Sequence, residues 1–135
     1  MKLYIYLSFL LLLTFTQSSN SQITGKWMYE GTLDKHNEVS SHVECPDLIV
    51  FNKNGSYVVF NDCYGLDPMK PVVETGKWKL EPTSQQLILT ERRFTTNYTP
   101  YSSKKTIALT VVRLSRNKLN LSFQKGKTEQ YTKKL

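Results

Sequence analysis

Side chains that commonly bind metals are concentrated in one short segment around the first cysteine. The segment contains Asp34, His36, Glu38, His42, Glu44 and Asp47. Zinc sites are usually built from ligand pairs at short fixed spacings, such as Cys-x-x-Cys or His-x-x-x-His. Neither pair occurs in this chain. We therefore interpret the segment as a solvated acidic loop and predict no metal and no other cofactor.

Motifs for covalent or hydrolytic catalysis are not found either. The sequence has no Gly-x-Ser-x-Gly elbow and no glycine-rich phosphate loop. Folding could still bring two carboxylates such as Asp34 and Glu38 together. The sequence favours a protein that is not an enzyme.

The two cysteines, Cys45 and Cys63, lie nine residues on either side of Asn54. In a regular hairpin with an odd-numbered loop centred on Asn54, they would face each other. In an oxidising compartment such a pair forms a disulfide by default. The sequence therefore predicts one structural disulfide, worth about 3 kcal/mol in the chain-entropy account.

The first 21 residues have the pattern of a signal peptide. Lys2 is followed by an apolar run from Leu3 to Phe15, which is shorter than the roughly 20 residues that span a bilayer. Ser19 and Ser21 are small residues suited to cleavage before Gln22. The alternative is a retained anchor or a buried helix. We predict an exported protein, periplasmic or extracellular, with no transmembrane span.

The charge of the chain is unevenly distributed. Residues 22–75 carry a net charge of −4, and residues 76–135 carry +10. An exported protein rarely meets nucleic acid, so we exclude nucleic acid as a partner. The acidic partners that the basic half could contact are anionic lipids, glycans or another protein. The alternative is that these lysines and arginines only solvate strand ends and protect sheet edges.

The elements that must carry these residues are short strands. From residue 23 onward, apolar or alternating runs recur every 8 to 12 residues and are separated by turn residues. Asn54-Gly55 joins two of these runs and is a strong hairpin signal. Two predicted strands carry the Gly-x-Trp motif. The first strand has Ile23, Gly25, Trp27 and Tyr29 on one face. The fourth strand has Val72, Gly76, Trp78 and Leu80 on one face. Residues 22–135 are thus predicted to form one all-β domain, a monomeric up-and-down antiparallel barrel of about eight strands.

These features together resemble the bacterial lipocalin-like domains, short exported relatives of the calycin barrels. The resemblance is carried by Gly25 and Trp27, the hairpin "CPDLIVFNKNGSYVVFNDC" at 45–63, and Gly76 and Trp78. It implies that Trp27 closes the bottom of the barrel beneath a basic side chain. Arg113 and Arg116 are both possible sources of that side chain.

The function that we expect is non-enzymatic binding of a small apolar or amphipathic ligand in the barrel or at its mouth. Tyrosines are suited to such a mouth because the ring is apolar and the hydroxyl is polar. The candidates are Tyr57, Tyr98, Tyr101 and Tyr131. The alternative is a filled barrel that acts as an exported interaction module, such as an inhibitor or a surface component, through its loops or basic face.

Overall fold

The computed structural model describes residues 20–40, 46–61, 72–95, 100–124 and 126–135. Residues 20–23 form one helical turn. Nine strands follow in the described chain: β1 (Gly25–Leu33), β2 (Asp47–Phe51), β3 (Ser56–Asn61), β4 (Val72–Glu81), β5 (Gln86–Thr95), β6 (Pro100–Ser103), β7 (Ile107–Leu114), β8 (Lys118–Gln124) and β9 (Lys127–Lys134).

Eight of these strands close an antiparallel barrel. The sheet runs β4-β3-β2-β1-β9-β8-β7-β5, and pairing of β4 with β5 closes it. The remaining strand, β6, pairs with β5 over Arg92 to Thr95, while Gln86 to Leu89 of β5 pair with β7. The predicted all-β, up-and-down barrel of about eight strands is therefore confirmed, with β6 as an extension of one wall.

The β2–β3 hairpin has the predicted register. Asp47 pairs with Asn61 and Phe51 with Tyr57, so the ladder is centred on Asn54. Gly55 has φ of +84°, a left-handed conformation that glycine adopts without steric cost. Cys45 and Cys63 lie outside the described residues, and their disulfide stays a prediction.

The barrel has two ends with different connections. We call one the turn end: it contains the helical turn at 20–23, the short connections at 52–55, 82–85 and 115–117, and the last residues of β9. The opposite end, the loop end, contains the last residues of β1, β3, β5 and β8 and the first residues of β2, β4 and β9.

The buried core lies between the walls and is densest toward the turn end. The inward-facing apolar side chains are almost fully buried because each strand presents every second residue to the interior. They are Ile23, Trp27, Phe51, Tyr57, Trp78, Leu87, Leu109, Val111, Leu119, Leu121 and Tyr131.

The first strand begins later than the sequence suggested. Ile23 was expected on β1 beside Gly25, but it belongs to the helical turn and β1 begins at Gly25. Gly25 has φ of +126°, which redirects the chain from the turn into the strand. Ile23 still reaches the core and is fully buried.

Candidate ligand site

The interior of the turn end is filled by aromatic rings. Phe51 meets Trp78 edge-on, with ring centroids 5.5 Å apart, and lies 6.3 Å from the Tyr57 ring. Such tilted contacts suit the quadrupoles of aromatic rings. These three rings and Trp27, which is fully buried, make a packed apolar floor beneath the upper part of the barrel.

Trp27 is held from two sides at this floor. Its indole Nε1 donates a hydrogen bond to the carbonyl oxygen of Ile23 at 2.6 Å. The ammonium of Lys133 lies 5.0 Å from the Trp27 ring centroid and also donates to the carbonyl of Gln22 at 2.8 Å. The basic side chain over Trp27 is therefore Lys133, not Arg113 or Arg116 as we expected. Burial lowers the pKa of Lys133.

Gly25 makes room for this lysine. A Cβ on Gly25 would lie 2.9 Å from Cε of Lys133, closer than such atoms approach each other. Register explains the contact, since Lys133 of β9 pairs with Trp27 of β1 and its side chain extends toward Gly25. The first Gly-x-Trp motif thus seals the turn end with a tryptophan, a lysine and the preceding helical turn.

The second Gly-x-Trp motif forms a different contact. A Cβ on Gly76 would lie 2.7 Å from both the carbonyl oxygen of Thr90 and Cε1 of Tyr57. The missing side chain therefore leaves space for the Tyr57 ring inside the barrel. Trp78 donates from its indole Nε1 to the carbonyl of Asn52 at 3.0 Å, which joins β4 to the β2–β3 turn.

Above the floor, a partly buried carboxylate joins a tyrosine and an arginine. Oε1 of Glu74 accepts a hydrogen bond from the Tyr57 hydroxyl at 2.5 Å and another from Nε of Arg92 at 2.7 Å. The side chains of Glu74 and Arg92 are each only 14% exposed. Burial, together with the neighbouring Glu74 carboxylate, raises the pKa of Tyr57.

A β-bulge explains why sequence reasoning missed Arg92. Leu87 and Leu89 face inward, so simple alternation would put residue 91 inside and residue 92 outside. The register between β4 and β5 shifts at this point, and Glu91 has φ of +50°. The extra residue brings Arg92 to the inner side. No pattern in one strand signals such a shift.

The same wall continues onto β6 as a stack of planar groups. The guanidinium of Arg92 lies 4.6 Å from the ring centroid of Phe94. Phe94 in turn stacks on Tyr101 with centroids 4.9 Å apart and planes 14° from parallel. Tyr101 is 52% exposed. A row of stacked cationic and aromatic side chains therefore extends from the interior of the barrel to the surface of β6.

A second polar group lies on another part of the inner wall. The hydroxyl of Tyr131 donates to Oε2 of Glu129 at 3.0 Å, and the Tyr131 ring lies 5.5 Å from that of Tyr29. Burial raises the pKa of Glu129, and the nearby charge of Asp47 adds to the effect. Asp47 itself accepts a hydrogen bond from Asn61 at 2.8 Å.

The three candidate tyrosines in the described part of the chain do not form one cluster. Tyr57 and Tyr131 are buried in separate polar groups, and Tyr101 lies on β6 at the surface. Tyr98 lies outside the described residues. The ligand role of all four stays a prediction. Sequence reasoning did not identify Glu74, Arg92 or Glu129, because charged residues on strands usually face solvent.

The predicted acidic loop forms a local turn where it is described. One carboxylate oxygen of Asp34 accepts hydrogen bonds from the backbone N–H groups of His36 and Glu38, at 2.7 and 3.0 Å. His42 and Glu44 lie outside the described residues. Within the described ranges, no group of three or more histidine, cysteine or acidic side chains is arranged to hold a metal ion.

Comparison with known proteins supports the family that the sequence suggested. The signature of the lipocalin-like family matches residues 69–134, from the segment before β4 to the end of β9. Over these residues the chain is similar in sequence to the lipocalin-like family, and its barrel has the lipocalin-like fold. A structural match is the crystal structure of a lipocalin-like protein from Bacteroides uniformis ATCC 8492. It is 17% identical, superposes with a TM-score of 0.52, and covers 84% of this chain and 99% of its own.

None of the curated protein sequences matches this chain significantly. The lipocalin-like fold is a binding type of barrel, and the family is generally non-enzymatic. In the described part of the structure, no helix is both long and apolar enough to cross a membrane.

Proposed function

We propose that this lipocalin-like protein binds a small amphipathic ligand inside the barrel without catalysing a reaction. The observation that carries the proposal is the inward-facing group formed by Tyr57, Glu74 and Arg92 above an apolar floor. An apolar ligand body would lie on the floor, and its polar head would meet this group. Such a combination of apolar lining and few placed polar groups is typical of ligand pockets.

The cost of burying charge supports this interpretation. An ion pair inside a barrel is often no more stabilising than apolar side chains of the same volume, because both charges lose their hydration. Glu74 accepts both of its described hydrogen bonds at Oε1. We assign Oε2 of Glu74 and the cationic guanidinium of Arg92, which also interacts with Tyr57, to the ligand head.

Paired arginine variants test the proposal. Arg92→Gln removes the partly buried cation of the inner wall. Arg93→Gln removes an exposed cation from the next residue and leaves the inner wall unchanged. We expect Arg92→Gln to weaken binding of an amphipathic fluorescent probe at least tenfold, and Arg93→Gln to have little effect. Native mass spectrometry of the protein from its own source, followed by denaturation, identifies any molecule that is released.

The second candidate is a filled barrel that acts through its surface. The aromatic packing of Phe51, Tyr57 and Trp78 favours it, because an eight-stranded barrel can be filled by its own side chains. A clean apo mass, no uptake of apolar probes and equal behaviour of the two arginine variants would contradict ligand binding. The protein would then be assigned to this second class.

Export and the disulfide are part of the proposal. We infer that the protein is cleaved before Gln22 and that Cys45 and Cys63 are bonded in the periplasm or outside the cell. N-terminal sequencing of the natural protein and its intact mass before and after reduction test both points. A start at Met1 or free thiols would contradict them.

A further inference from the structure

We propose that the turn end of the barrel is a docking surface for anionic membranes, with the loop end facing away from the lipid. This function is separate from ligand binding and would hold for a filled barrel too. Five basic side chains are exposed at this end and have no carboxylate partner within the described part of the chain: Lys26, Lys53, Arg113, Arg116 and Lys134.

Strand register brings these residues together from distant parts of the sequence. Lys26 of β1 pairs directly with Lys134 of β9. Lys53 lies in the β2–β3 turn, and Arg116 lies in the turn between β7 and β8. The basic surface therefore includes residues of the acidic first half and is not simply the basic second half. It is a property of one end of the barrel.

The acidic side chains at this end are already neutralised. Glu30 is bound by Lys118 at 2.8 Å, and Glu81 by Lys79 at 2.6 Å. The described part of the loop end carries exposed charges of both signs, with Asp34 and Glu38 but also Lys35 and Lys127. An anionic surface would therefore attract the turn end more strongly than the loop end.

Features beyond charge favour a membrane over a soluble polyanion. Val112 is 57% exposed and lies next to Arg113. A cleft of about 270 Å³, lined by Leu80, Pro82 and residues 111–114, opens beside it. A basic side chain adjoining apolar surface suits the boundary between lipid head groups and acyl chains.

The position at which the chain enters the barrel also favours the turn end as the membrane-facing end. The carbonyls of Gln22 and Ile23 bind Lys133 and Trp27 at the turn end, so the chain enters the barrel there. The apolar run ends at Phe15, only five residues before Asn20. Five residues span at most roughly 18 Å. While the predicted leader lies in a membrane, the turn end is therefore held close to the lipid.

Two triple variants of equal charge test the proposal. Arg113→Gln, Arg116→Gln and Lys134→Gln together remove three charges from the turn end. The matched control, Lys104→Gln, Lys105→Gln and Lys127→Gln, removes three exposed charges from the same basic half but away from that end. Binding is measured by co-sedimentation with vesicles of phosphatidylcholine mixed with phosphatidylglycerol, and with phosphatidylcholine alone.

We expect the turn-end variant to lose roughly a hundredfold in partitioning, since each basic residue near the surface contributes about fivefold. The control should lose only a few-fold, and binding should weaken steeply with salt. Equal loss in both variants, or equal binding to neutral vesicles, would overturn the proposal. Binding to a sulfated polysaccharide without binding to vesicles would assign the surface to glycans instead.

Orientation gives a second, independent test. Val112→Trp places a reporter at the turn end, and Phe123→Trp places one at the other end of the barrel, where Phe123 is 47% exposed. With brominated phosphatidylcholine in the anionic vesicles, we expect quenching of the residue-112 reporter and none of the residue-123 reporter. The reverse pattern would contradict docking through the turn end.

Discussion

The two Gly-x-Trp motifs have the same sequence pattern but different surroundings. At Gly25 and Trp27, the space above glycine is taken by Lys133, a flexible cation at the edge of the barrel. At Gly76 and Trp78, it is taken by the rigid ring of Tyr57 and by the backbone of Thr90. The first motif closes an end, and the second lets an inward-facing polar group form.

The comparison shows that one motif can serve two physical requirements. Gly25 has a positive φ, which side-chain-bearing residues rarely adopt, so its backbone conformation requires glycine. Gly76 requires glycine because of space alone. Substitutions at the two glycines should therefore destabilise the protein by different amounts. The movements that could relieve the clash or the backbone strain should differ as well.

The largest difference is expected between Gly76→Ala and Gly25→Ala. At Gly76 the new methyl meets backbone, so we expect a loss of about 2–3 kcal/mol in the free energy of unfolding. At Gly25 the lysine can move aside, and backbone strain alone should cost about 1–2 kcal/mol. Urea unfolding of both variants measures the two losses in the free energy of unfolding. A smaller loss for Gly76→Ala would mean that Tyr57 and Thr90 can shift without cost.

The next difference concerns the two indole N–H groups. Trp27→Phe leaves the carbonyl of fully buried Ile23 without its donor, for an expected loss of about 2 kcal/mol. Trp78→Phe affects the carbonyl of Asn52, which lies nearer to solvent, and should cost about 1 kcal/mol. Thermal unfolding of the two variants shows which substitution destabilises the protein more. Equal losses would indicate that water reaches Ile23.

The cation above Trp27 is expected to contribute less than either indole. Lys133→Met keeps the aliphatic stem but removes the charge from above the ring, and we expect a loss of about 1 kcal/mol. Lys134→Met changes the next residue, which is exposed, and is the matched control. Chemical denaturation distinguishes them. A control loss as large as that of Lys133→Met would remove the cation–π explanation.

The smallest effect is expected beside the first motif, at Glu30. Burial alone would raise the pKa of Glu30, but hydrogen bonds from Lys118, Thr132 and Gln130 outweigh it and lower that pKa. The stabilisation is complete above the usual glutamate pKa of about 4.3 and is lost as pH falls through the lower folded value.

Thermal unfolding of wild type and Glu30→Gln between neutral and acidic pH tests the sign. Wild type should be more stable at neutral pH, by less than about 1 kcal/mol because the pair is partly solvated, and the difference should disappear in acid. A difference that grows on acidification would contradict the lowered pKa.

Local signals in the sequence were sufficient for much of the fold. Asn54-Gly55 predicted a hairpin, and its observed register is centred on Asn54. The spacing of strands and their short connections predicted an up-and-down barrel, which the closed sheet confirms. These predictions succeeded because alternation, turn residues and connection length act over a few residues.

The polar part of the candidate site required contacts that no local pattern reports. Arg92 faces inward only because a bulge shifts β5 by one residue against β4. Lys133 lies above Trp27 only because the last strand pairs with the first.

The sequence by itself determined strand alternation, the hairpin, the two Gly-x-Trp positions and the likeness to lipocalin-like domains. Only the tertiary structure decided which cation covers Trp27, which charges face inward and which end of the barrel is basic. The physical reason is that register across strands distant in sequence depends on barrel closure and on bulges, neither of which short-range residue preferences can specify.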